Sequence, residues 1–83
     1  MNYTLLYSKS AAKDIKELDA IVKRRLKKKL EVYLLKPLYY AKKLTDNDIG
    51  TYRWRMGNYR IVFDIDGKNI VILRIGHRRE IYR

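Results

Sequence analysis

Gly57-Asn58 stands between two runs that alternate apolar and basic residues, YRWRM at 52–56 and YRIVF at 59–63. A Gly-Asn pair so flanked predicts a tight two-residue β-hairpin, because glycine accepts the left-handed backbone that such a turn demands. The turn dictates the pairing. Met56 faces Tyr59, Arg55 lies directly across from Arg60, and Arg53 sits two residues away on the same face. The opposite face collects Trp54, Met56, Tyr59, Ile61 and Phe63, a set that suits a core. Like charges opposed across an antiparallel pair cost stability, and no carboxylate beside Arg55 and Arg60 offsets the two cations.

The remaining elements follow from period and punctuation. Tyr3, Leu5 and Tyr7 alternate as a strand within residues 2–7, and Ser8 or Ser10 offers a helix cap. Ala12, Ile15 and Leu18 fit one face of a short helix. Asp19 caps a second helix whose apolar stripe is Val22, Leu26, Leu30, Tyr33 and Leu34, and Pro37 stops it. Residues 38–50 lack a sustained period and read as a loop with one helical turn. Asp66-Gly67 marks another turn, so three consecutive antiparallel strands are expected at about 51–56, 59–65 and 70–76. The order β-α-α-β-β-β predicts an α+β fold in which a helical hairpin covers one face of a small antiparallel sheet. Side-chain parity then places Val62, Val71, Leu73, Ile75 and His77 on the arginine face.

All 83 residues make one domain, 1–83, without linker or repeat. With 47% hydrophobic residues the chain folds, and a net charge of +11 directs it toward polyanions or an acidic protein partner. No long apolar run or leader pattern appears, so a soluble cytoplasmic protein without membrane contact is expected. The lack of cysteine and the single His77 leave no metal-ligand set, and no cofactor is expected.

Charge type is segregated along the chain: after Gly50 there are seven Arg and one Lys, whereas Lys dominates before it. Arginine holds phosphate in a fixed fork, while lysine is a mobile, strongly hydrated point charge. Arg53, Arg55 and Arg60 therefore read as an anion site, against the plainer reading of a solvated sheet surface with splayed side chains. The run KRRLKKKL, 23–30, reads first as a solvated helix face and second as a nucleic-acid patch.

The segments AKKL (41–44), YRWR (52–55), GNYRIVF (57–63) and IGHRREIY (75–82), in that order and spacing, resemble the RelE/ParE superfamily of bacterial and archaeal toxins, its RelE branch above all. The resemblance spans nearly the whole chain. It implies a metal-independent messenger-RNA interferase of a type II toxin-antitoxin system, which enters the ribosomal A site, cuts mRNA there and inhibits translation. Carried over residue by residue, it implies Arg53, Arg55, Arg60, Arg78 and Tyr82 as the working residues; Arg55, Arg60, Arg78 and Tyr82 are expected to be catalytic, and Arg53, with His77, Arg79, Lys42 and Lys43, to bind RNA. It also implies a cognate acidic, RelB-like antitoxin, for which an amphipathic helix against Val62, Val71, Leu73 and Ile75 is the expected contact.

The chemistry implied is attack by the RNA 2′-hydroxyl on the adjacent phosphate. Arginines supply the charge stabilisation, Arg55 and Arg60 at the phosphate, Arg53 in positioning and Arg78 at the leaving oxygen. In the best-known members the two basic residues before the hairpin are lysines. Arg53 and Arg55 do not surrender a proton, so they orient and neutralise. Tyr82 is expected to stack on a base or join the proton network. Two other readings fit the same residues. One is a ParE-like toxin that inhibits gyrase without cutting RNA, although such members generally lack the full basic set with its terminal tyrosine. The other is a non-catalytic RNA-binding module.

Overall fold

Ser8 ends the first strand and starts the first helix: its hydroxyl accepts from the Ala11 N–H at 3.0 Å while its own backbone stays extended. In the computed structural model, which describes residues 2–44 and 50–81, the elements are β1 (Thr4–Tyr7), α1 (Lys9–Glu17), α2 (Ala20–Tyr33), α3 (Pro37–Tyr40), β2 (Lys42–Lys43), β3 (Tyr52–Met56), β4 (Tyr59–Asp66) and β5 (Asn69–His77). The expected loop at Thr45 to Asp48 and the candidate residue Tyr82 lie outside the described residues.

Asp19 caps α2 by accepting from the Val22 N–H at 2.9 Å, so a single connecting residue, Leu18, separates α1 from that cap. Val22, Leu26, Leu30 and Tyr33 form the buried stripe of α2, as their helical spacing predicts. In α1 the buried alanine is Ala11, and Ala12 is exposed, which moves the expected stripe by one residue. Ala11, Ile15 and Leu18 then follow the i, i+4, i+7 spacing of one face. The helix α2 ends three residues before Lys36, and Pro37 opens α3 at its first position, where its missing N–H costs nothing.

The sheet order is β1-β5-β4-β3-β2. Both hairpin turns hold two residues: Met56 pairs with Tyr59 around Gly57, at φ +58°, and Asp66 pairs with Asn69 around Gly67, at φ +60°. Two features depart from the sequence reading. The sheet is antiparallel except that β1 lies parallel to β5, and β2 adds a two-residue edge to β3.

Register breaks once. Val62 pairs with Arg74 but Phe63 pairs with Ile72, so Leu73 bulges out of β5 without a partner. The Ser8 hydroxyl donates to the Leu73 carbonyl at 2.8 Å, and the Ser8 N–H donates to Ile72 O at 2.9 Å. One residue thus caps α1 and satisfies the bulged backbone.

Beyond the bulge every β5 side chain changes face. Ile75, expected on the arginine face, pairs with Ile61, is 2% exposed and belongs to the core. Around it lie Trp54, Met56, Ile61, Phe63, Ile70 and Ile72. Trp54 stacks on Phe63 with centroids 4.0 Å apart and on Tyr33 at 4.9 Å, and its indole N–H donates to Pro37 O at 3.0 Å. Burying each such side chain contributes roughly 1.5 to 3 kcal/mol.

Replacing Ser8 by Ala removes a cap and the bulge bond together and is expected to lower stability by about 1 to 2 kcal/mol. A urea midpoint equal to that of the unaltered protein, at unchanged slope, would contradict the double role. Burial pushes the Tyr33 hydroxyl above its ordinary pKa, outweighing the opposing effect of nearby Arg25. The folded state therefore holds this proton more tightly than the unfolded chain, a stabilisation complete below pH 10 and lost as pH rises through the folded value. Urea midpoints are expected to fall above pH 10, and less steeply in Tyr33→Phe.

Candidate nucleic-acid interface

Arg55 pairs with Arg60 across the β3–β4 hairpin, as the turn requires. The two side chains reach different ends. Arg60 is only 6% exposed, and its Nη1 donates to Gly57 O and Tyr59 O, both at 3.0 Å. A buried cation is tolerated when backbone carbonyls replace its water, so the chain itself supplies the compensation that the strand sequence lacks. Arg55 remains exposed, and its backbone carbonyl accepts from the Tyr33 hydroxyl at 2.6 Å.

Arg53 and Lys42 extend this face. Lys42 pairs with Arg53, and directly opposed residues share a face, so Lys42, Arg53, Arg55 and Arg60 form one basic group. Lys43 pairs with Tyr52 and alternates to the other side of the sheet.

The chain after β5 folds back on the hairpin. The Arg78 N–H donates to Asn58 O at 2.7 Å, which holds this residue beside the turn that Arg60 also grips, with its side chain exposed. A turn follows in which Glu80 and Ile81 N–H groups both donate to His77 O, and Ile81 is buried. Arg79 is exposed, and its N–H donates to His77 Nδ1 at 3.3 Å.

The structure therefore brings Arg53, Arg55, Arg60, Arg78 and Lys42 together around one hairpin. His77 is not among them. The bulge at Leu73 carries it to the helix side, opposite Tyr59, whose ring lies edge-on at 6.0 Å, and it lines a cavity of about 300 Å³ with Asp14, Glu17 and Glu80. Arg74 is engaged elsewhere. Its guanidinium pairs with Asp14 at 2.8 Å, a bond that raises its pKa further, and the same carboxylate takes the Ile75 N–H.

The apolar strip beside the arginines is smaller than parity predicts. Val62 is wholly buried, since the Gly50 backbone lies on it: a Cβ on Gly50 would stand 2.8 Å from both Val62 Cγ1 and Leu73 Cδ1. With Ile75 in the core, only the half-buried Val71 and Leu73 remain of the four residues expected to form an open apolar surface. Asp64 lies on this side too, accepting from the Thr51 N–H at 2.7 Å.

Two residues reach the site that the strand pattern does not mark. Arg25, within the run read first as a solvated helix face, places Nη2 3.3 Å from where a Gly57 Cβ would be. Tyr40, in the segment without period, lines a pocket with Lys42, Arg53 and Arg55. A basic residue on each α2 turn carries no signal of which one meets a distant hairpin.

Comparison with known proteins agrees with the fold. The sequence profile of the family described as ParE toxin of type II toxin-antitoxin system, parDE, matches residues 5–82. Toxin RelG of Mycobacterium tuberculosis is 33% identical over 86 aligned positions, covering 100% of this chain and 99% of that one. Toxin RelE3 of Methanocaldococcus jannaschii is 32% identical over 82, covering 94% and 93%. Among solved structures, the toxin-antitoxin complex RelBE2 of Mycobacterium tuberculosis contains a chain that superposes with a TM-score of 0.83 at 28% identity, over 94% of this chain and 100% of that one. A chain built on the same strands and helices, with its basic hairpin and its sequence matched nearly end to end, belongs to the RelE/ParE family of type II toxin-antitoxin toxins.

Proposed function

We propose that the protein is a RelE-type endoribonuclease that cuts mRNA in the ribosomal A site and so inhibits translation in the cytoplasm. The observation that supports this reading most is the convergence of Arg53, Arg55, Arg60, Lys42 and the backbone-tethered Arg78 on one hairpin.

Cleavage by the 2′-hydroxyl forms a P–O2′ bond as the P–O5′ bond breaks; the 2′-hydroxyl proton passes to water and O5′ takes one from water, leaving a 2′,3′-cyclic phosphate and a 5′-hydroxyl. Charge accumulates on the phosphoryl oxygens and then on O5′. Fixed cations aimed there lower the barrier because they need no reorganisation during the reaction. Exposed Arg55 holds the phosphoryl oxygens and Arg78 meets the leaving oxygen. Arg60, sunk beneath the hairpin, acts as a fixed positive charge and holds the turn. Arg53 and Lys42 guide the strand of RNA, with Arg79 at the exposed C-terminal turn, whereas Lys43, on the other side of the sheet, is off this path. His77, whose Nδ1 takes the Arg79 N–H, braces that turn. Tyr82 follows immediately and serves as a stacking surface.

None of these arginines abstracts a proton, so catalysis depends on how well the substrate is aligned. The ribosome supplies that alignment, and naked RNA is a poor substrate. The cognate antitoxin is an acidic, RelB-like protein. It covers the basic face, engaging Val71 and Leu73 at its apolar border, and blocks RNA from Arg55.

Arg55→Ala and Arg78→Ala each remove an exposed cation without disturbing the core. Each is expected to slow single-turnover cleavage of ribosome-bound message by about 100-fold or more, the effect typical of losing one fixed transition-state donor. Rates equal to the unaltered protein's in both variants would take the arginine face out of the reaction.

A further inference from the structure

The edge strand β2 accompanies β3 for two residues only, Lys42 opposite Arg53 and Lys43 opposite Tyr52. One residue earlier the chain belongs to the turn out of α3, and the gap beside β3 is a shallow pocket of about 260 Å³ lined by Tyr40, Ala41, Lys42, Arg53 and Arg55. One aromatic and three basic residues border it, and among the described residues no carboxylate lines it.

The ring is held in place. Tyr40 packs against Tyr33 at 5.5 Å and edge-on against Tyr39 at 5.0 Å, yet stays 41% exposed. Its supports are tied to the arginine strand: Tyr33 donates to Arg55 O, and the Trp54 indole donates to Pro37 O at the start of α3. Ring and cations therefore form one unit, which spares a ligand the cost of ordering them.

A flat aromatic surface beside cations suits an unpaired nucleotide, whose base stacks while its phosphate is neutralised. Base-paired RNA does not fit this chemistry, because its bases are already stacked within the duplex.

We propose that this pocket is a nucleotide subsite, in which Tyr40 stacks on the base of the mRNA nucleotide next to the cut while Lys42 and Arg53 hold its phosphate. The inference deepens the ribonuclease reading and rests on it. Arg55 belongs both to the pocket and to the proposed cleavage site, so the occupant is the immediate neighbour of the scissile phosphate. Tyr40 is thus a substrate-positioning residue. Purines, with the larger stacking surface, are favoured there over pyrimidines.

The test uses ribosome-bound messages that differ in the bases flanking the cut, with the unaltered protein, Tyr40→Phe and Tyr40→Leu, each checked by its thermal midpoint. A parallel series carries 2-aminopurine at the flanking positions and a 2′-O-methyl group at the cut, so that stacking is read as fluorescence quenching without cleavage. The unaltered protein and Tyr40→Phe are expected to prefer purines at one flanking position and to quench there. Tyr40→Leu is expected to lose both and to lower kcat/KM about 5- to 150-fold, the effect of one lost stacked base. A folded Tyr40→Leu with unchanged rate and base preference overturns the subsite, as does one that weakens only antitoxin binding, which would assign the pocket to a protein partner. Quenching without cleavage by the unaltered protein would sink the ribonuclease reading but retain the subsite. Cleavage without quenching at any flanking position would do the reverse.

Discussion

Arg55 and Arg60 stand opposed in the pair next to the closing pair of a two-residue hairpin, where cross-strand Cα atoms approach to about 4.5 Å. Two guanidinium groups begin from nearly the same place, and the structure separates them by giving them different surroundings. Arg60 folds under the turn and spends both Nη1 protons on Gly57 and Tyr59 carbonyls, while Arg55 stays at the surface. The outward-pointing carbonyl of Arg55 is taken by Tyr33, which joins the helical layer to the basic strand. Arg78, through its N–H to Asn58, and Arg25, close to Gly57, arrive at the same turn. A hairpin tip that would fray as an isolated element is therefore held from both layers, and its carbonyls tolerate a density of positive charge that the strands alone would not.

The hairpin was readable because its information is local. A Gly-Asn pair and a period of two dictate which side chains face each other, and Trp54, Met56, Ile61 and Phe63 all enter the core as alternation requires. Both helix caps, Ser8 and Asp19, are equally local. What lay beyond reach depended on contacts distant in sequence. The bulge at Leu73 is stabilised by Ser8, 65 residues away, and no residue within β5 announces it. That one inserted residue sends Ile75 and His77 to the helix side, which is why parity counted from the second turn gave the wrong face for both. The parallel pairing of β1 with β5 and the two-residue β2 are likewise tertiary events, set by where the helical layer delivers the chain.

The same division holds for the site. Arg53, Arg55 and Arg60 were legible as a group, and Arg78 joins them because β5 ends at His77 and the next N–H turns to Asn58 O. The burial of Arg60 was not legible, since an alternating strand does not say which cation finds carbonyls. Nor was Tyr40, whose position follows from an indole hydrogen bond to Pro37 and not from any pattern in residues 38–50. The family assignment and the physical reading meet on the hairpin: the sequence segments that carry the resemblance are those that build the basic face.

Primer extension on a defined message held on ribosomes with an empty A site separates cleavage from other modes of toxicity, since it maps every new 5′ end to a nucleotide. New ends are expected within the A-site codon, and few on the same message without ribosomes. An intact message in the presence of folded protein would contradict it, and inhibition of gyrase supercoiling by that same preparation would assign the basic hairpin to a protein target instead.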